Sequence, residues 1–185
     1  MSGDPFHLAA QAAGLALPPA VAAFHRGSGT RIWHGEAEVE TGRNPVSRLV
    51  ARMAGFPARA GRATIRVTTE TAAGRSRWAR DFQGHVTRSA LQRGTDRTRV
   101  IERMGPVTLT LALRATAGRL HIDVAGIAVL GVPLPRFLCP ISETIEYQDA
   151  QGRFAFDVSA RLPMLGRLIR YHGHLTELEP TAPIC

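Results

Sequence analysis

Residues 61–94, GRATIRVTTETAAGRSRWARDFQGHVTRSALQRG, decide the fold. Ala63, Ile65, Val67 and Thr69 recur at every second position, and Gly74 interrupts. Trp78, Arg80 and Phe82 then recur in the same way, and Gly84 interrupts again. Alternation at that period sends successive side chains to opposite faces of a β-strand, and a glycine between two such runs supplies the turn.

The pattern continues outward in both directions. Residues 30–40 alternate as a half-solvated strand, with Arg31, Trp33, Gly35, Ala37 and Val39 on one face. Downstream, strands are predicted over residues 85–91, 97–104, 107–113, 120–124, 141–147, 154–160 and 167–175, punctuated by Gly94, Gly105-Pro106, Gly118, Gln151-Gly152, Pro163 and Gly166. The connections are too short for helical crossovers, so the sheet is antiparallel and mostly a meander. A meander of that length exposes two edges unless it curls. The expected fold is therefore mainly β (α+β): a strongly curved antiparallel sheet or barrel of eight to ten strands, with two or three N-terminal helices packed on one side. Pro5 opens the first helix, expected to run to Ala16, and Pro19 opens a second through His25. Asn44-Pro45 caps a third, over residues 44–54, with Val46, Leu49, Val50 and Met53 in one apolar stripe.

The chain has 185 residues, 44% of them hydrophobic, and a mean hydropathy of -0.05. A domain of this size buries roughly 70% of its open-chain surface, so wholesale disorder is excluded. One domain over residues 1–185 is expected, with 178–185 as a frayed tail. No stretch approaches the roughly 20 apolar residues of a membrane-spanning helix. All 23 basic residues are arginine, against 15 acids, for a net charge of +8. They are scattered from Arg26 to Arg170 without a run of five or six, so no nucleic-acid surface is expected. Cys139 and Cys185 make no disulfide framework, and MSGDPFHL lacks the basic and apolar regions of a secretory signal, so a cytoplasmic protein is expected.

Several positions carry a family resemblance: Trp78-x-Arg80-x-Phe82-x-Gly84, Ser89, Gly105-Pro106, Pro133-Leu134-Pro135 with Leu138 and Pro140, Phe154-x-Phe156-Asp157-Val158, Pro163-x-x-Gly166 and Tyr171-x-Gly173-x-Leu175. In that order they resemble the family known as domain of unknown function 4166, over about residues 18–177. Members of that family occur alone or fused C-terminally to saccharopine-dehydrogenase-like Rossmann reductases. This chain has no G-x-G-x-x-G opening a helix after a strand. The resemblance thus implies a standalone module or one working beside a separate reductase, and it supplies no activity. Family members often carry an aromatic residue where His174 stands.

Trp78, Arg80 and Phe82 share one strand face. If that face is inward, a guanidinium lies among aromatic rings and must be paired. Arg80 then forms a structural ion pair with Glu143 or Glu146, or anchors a ligand carboxylate or phosphate. If the face is outward, Arg80 covers Trp78 in solvent. Residues 126–140, GIAVLGVPLPRFLCP, form an apolar segment with three prolines, read either as a flap packed over a barrel mouth or as a portal, with Val132, Leu134 and Phe137 at its centre. The third helix carries Arg43, Arg48 and Arg52 beside its stripe and either packs on the sheet or lies on anionic lipid. His172 and His174 share a face but lack a third ligand at diagnostic spacing, so no metal site is expected. No nucleophile–base arrangement appears, and no catalytic residue or cofactor is assigned.

The reading carried forward is non-covalent binding of a small, largely apolar ligand, lipid-like and acidic if Arg80 holds its head group, in a curved β-sheet cavity. Its expected lining is Trp78, Arg80, Phe82, Glu143, Phe154, Phe156 and Tyr171. The alternatives are an accessory or substrate-presenting module for the reductase, or a module that touches a membrane surface.

Overall fold

The computed structural model describes residues 3–53, 55–57, 59–135, 137 and 139–178. Eleven strands follow one another: β1 (Gly29–Thr41), β2 (Gly61–Ala72), β3 (Arg75–Phe82), β4 (His85–Arg93), β5 (Arg99–Met104), β6 (Val107–Thr116), β7 (Arg119–Val129), β8 (Val132–Pro133), β9 (Ile141–Gln148), β10 (Phe154–Leu162) and β11 (Gly166–Leu178). Each pairs antiparallel with its neighbours. β11 returns to β1 and β7 pairs with both β6 and β9, so ten strands close into a barrel and the two-residue β8 hangs on β7. Closure leaves none of the ten strands at the border of the sheet, which answers the edge problem posed by the long meander, although β4 meets β5 over four residues only.

Three helices account for the rest of the regular structure: α1 (Pro5–Ala12), α2 (Pro19–Arg26) and α3 (Pro45–Met53). α1 stops four residues before Ala16, because Gly14 takes a φ of +67° and the Ala13 and Leu15 amides close onto the Ala9 and Ala10 carbonyls. α1 and α2 plug one end of the barrel. Phe6 and Phe24 are buried there, Phe24 stacks on Phe154 at 4.1 Å between centroids, and its edge meets Trp78 at 5.5 Å. α3 lies at the opposite end, beside β11. Asn44 caps it, its side-chain oxygen accepting from the Val46 amide at 2.8 Å.

Three expectations need correction. α3 buries only part of its apolar stripe: Ser47 and Ala51 face the barrel and Val50 packs, half-buried, against the core, whereas Val46 and Leu49 are 49% and 59% exposed. Ser47 Oγ donates to the Leu165 carbonyl at 3.0 Å, and small residues on that face let the helix approach the β10–β11 turn closely. β7 does not break at Gly126. It runs to Val129, with Gly126 opposite Thr110, and a register shift there leaves Ala125 as the extra residue of a bulge. The tail does not begin at Leu178, which still belongs to β11; residues 179–185 lie outside the described residues.

Candidate functional site

Ten strands enclose a wider interior than the eight that side chains can just fill. Part of that width is taken by the plug, and a cavity of about 130 Å³ remains between the plug and the α3 end. Trp78, Arg80, Phe82, Phe154, Phe156 and Tyr171 all line it. β3 contributes the first three, β10 the next two and β11 the last, each on an inward face set by strand alternation. Ile65, Leu111 and Ile122 complete much of the apolar wall.

Glu143 is not part of this lining. β9 is held in register between β10 and β7, where Glu146 pairs with Phe156 and Leu120, both inward, and Glu143 pairs with Ser159 and Asp123. The neighbours' apolar faces thus turn Ser142, Thr144 and Glu146 inward, and Ile141, Glu143, Ile145 and Tyr147 outward. A one-residue difference in register inverts a whole strand, and β9's own apolar pattern points the wrong way. Val132, Leu134 and Phe137 do not line the cavity either; Phe56 and Pro57, in the connection after α3, stand at its far end instead.

Arg80 does face inward, and its partner is Glu102 on β5. The guanidinium donates to Glu102 Oε1 at 3.2 Å and to Ser89 Oγ at 3.1 Å, and lies 4.8 Å above the Trp78 ring. Glu102 is 8% exposed. A second buried polar set joins the plug to the wall. His25, fully buried, donates from Nδ1 to Asp4 Oδ2 and from Nε2 to Glu146 Oε2, both at 2.7 Å. Burial alone would lower the His25 pKa, but the Asp4 and Glu146 carboxylates outweigh it and raise it to about 10. His25 is therefore a cation at neutral pH. Asp4 also caps α1 by accepting from the His7 amide at 2.9 Å.

Arg80, Glu102 and Glu146 line the cavity, and His25 and Asp4 stand behind Glu146, outside the lining. The Tyr171 phenol is held in its neutral form, its pKa raised by burial, with Arg80 opposing and the Glu102 and Glu146 charges adding to the rise. The indole N–H groups of Trp33 and Trp78 are buried without an acceptor among the described residues, and the Trp78 ring lines the cavity.

Phe24, His25 and Glu102 were not singled out by the sequence. Glu102 shares its strand face with Val100 and Met104, so alternation alone marks it as inward; linking it to Arg80 needs the β3–β4–β5 order. His25 is a single histidine near the end of a short helix, and only the tertiary placement of Asp4 and Glu146 gives it a role. Among the described residues no three His, Cys, Asp or Glu side chains form a group able to hold a metal ion. Among the described residues no helix is long and apolar enough to cross a membrane.

These features define a class of protein: a closed antiparallel barrel, plugged by helices at one end, with an apolar interior and a buried set of ionic pairs in its wall. The chain belongs to the family described as a domain of unknown function (DUF4166), whose model matches residues 17–175. The match takes in α2 and the whole barrel except the end of β11, and leaves α1 outside. No curated protein matches the chain.

Proposed function

We propose that the barrel binds a small apolar molecule, of about the size of one aromatic ring, that carries a neutral polar group. The carrying observation is the cavity inside the closed barrel, bounded by aromatic side chains and by the Arg80–Glu102 pair. A dry apolar space of about 150 Å³ is enough to hold benzene, and burial of apolar surface there supplies affinity.

The charge balance bears on the head group. The Arg80 charge is already met by Glu102, and the lining offers no second cation among the described residues, so an anionic head group finds no free positive partner there. A hydroxyl or carbonyl fits better: either can accept from a donor such as the Trp78 indole or the Tyr171 phenol, and a hydroxyl can also donate to the phenol oxygen. The acidic ligand expected from an unpaired Arg80 is thereby replaced by a neutral one.

Benzyl alcohol and benzoate, matched in ring and opposite in charge, separate the two. Calorimetric titration of the purified protein is expected to give saturable binding of benzyl alcohol and at least tenfold weaker binding of benzoate. Native mass spectrometry of protein purified without denaturation is expected to show a retained small guest. Absence of saturable binding together with absence of any retained mass would end the proposal.

A further inference from the structure

The two ends of the barrel differ in a way the cavity does not explain. Among the described residues eight large apolar side chains are exposed, and seven of them lie at the end opposite the plug. They include Leu49 on α3, Leu130 before β8, Val132 in β8, Phe137, and Met164 in the β10–β11 turn, with Val132, Phe137 and Met164 at 65%, 73% and 104%. The connections at that end also contain Arg43, Arg48, Arg52 and Arg59, all exposed, and no Asp or Glu occurs in any of them. Among the described residues none of these four is in an ion pair. At the plugged end the connections carry Asp4, Asp96 and Asp149 beside Arg26, Arg97 and Arg153, so charge there is balanced.

α3 shows the same bias within one element. Ser47 and Ala51 face the protein with Val50 half-buried beside them, and Val46 and Leu49 face out beside Arg48 and Arg52. A helix that served packing alone would turn the larger apolar residues inward.

We infer that this end of the barrel docks on an anionic phospholipid surface, with Leu49, Leu130, Val132, Phe137 and Met164 entering the headgroup–acyl boundary and the four arginines meeting lipid phosphates and carboxylates. Uncompensated positive charge fits an anionic surface, and exposed apolar tips between the arginines fit a bilayer interface rather than a sugar–phosphate backbone, which offers them no apolar phase. Docking there would also bring the Phe56–Pro57 end of the cavity to the source of apolar molecules. The inference does not depend on the cavity being filled, so either reading can fail alone.

Vesicle flotation tests it, using phosphatidylcholine vesicles with and without phosphatidylserine. The full chain is expected to float with phosphatidylserine vesicles and to be released largely by salt. Arg48→Gln with Arg52→Gln is expected to lower partitioning about fivefold per arginine. Phe137→Ser is expected to lower it at every salt concentration, and Arg97→Gln, at the plugged end, to leave it unchanged. All these sites are exposed, so each variant should melt as the parent does. Equal flotation with both vesicle types, equal flotation of rim variants and parent, or no flotation would overturn the inference. So would a dimer in sedimentation velocity that is lost in Phe137→Ser, or duplex nucleic acid retained by the same arginines in place of vesicles.

Discussion

Glu102 lies in the barrel wall with one cation, Arg80, at 3.2 Å. Deleting one partner of such a pair leaves a buried charge without compensation, which costs about 3–5 kcal/mol, whereas replacing both with apolar residues is often near neutral. Arg80→Leu is therefore expected to destabilise the protein by about that amount in urea unfolding. The Arg80→Leu/Glu102→Leu double variant is expected to recover most of the loss. Equal loss in both would mean that the pair is not coupled. His25 gives a pH signature of opposite sense to that of a salt-bridged carboxylate. Its pKa rises from 6.5 to about 10 on folding, so its contribution is fully present below pH 6.5 and is lost as pH climbs towards 10. Stability measured across that window is expected to fall more steeply for the parent than for His25→Gln, which is less stable throughout. Parallel curves would contradict a buried imidazolium.

At the scale of elements, β1 and β11 approach each other so closely that glycine is required on both. A Cβ on Gly35 would lie 1.9 Å from the His174 carbonyl oxygen, and one on Gly173 would lie 2.0 Å from that of Glu36. The obstacle in each case is backbone, which cannot rotate away, so Gly173→Ala is expected to cost about 3 kcal/mol by thermal or urea melting. Most strands were legible, because β1 to β6 and β10 are followed within two residues by glycine or proline, whereas β7 runs on past Gly126. Alternation put Trp78 with Phe82 and Phe154 with Phe156 on shared faces, and closure of the barrel is what turns those faces inward. β9 was not legible: its apolar residues Ile141, Ile145 and Tyr147 lie outside, where Arg119 covers Tyr147 at 5.2 Å, and pairing with β7 and β10 fixes its face. α3 misled similarly, since Val46 and Leu49 of its stripe are exposed and only Val50 packs beside the small residues Ser47 and Ala51. The Arg80 partner was out of reach because it depends on two strand pairings, β3 with β4 and β4 with β5.

At the scale of the molecule, closure, plug and cavity are one consequence of strand number. Ten strands open the interior beyond what their own side chains fill. Phe6 and Phe24 fill one end from outside the sheet, Asp4 and His25 tie them to Glu146, and space remains beyond them. The most direct measurement of that space uses its own reporter. The chain has two tryptophans, and only Trp78 lines the cavity, so Trp33→Phe isolates it. Titration of Trp33→Phe with benzyl alcohol is expected to change the Trp78 emission saturably. Ala160→Phe, which places a ring inside the cavity from β10, is expected to abolish that change. An emission that stays constant, or one that drifts linearly and equally in both variants, would contradict a guest-binding interior.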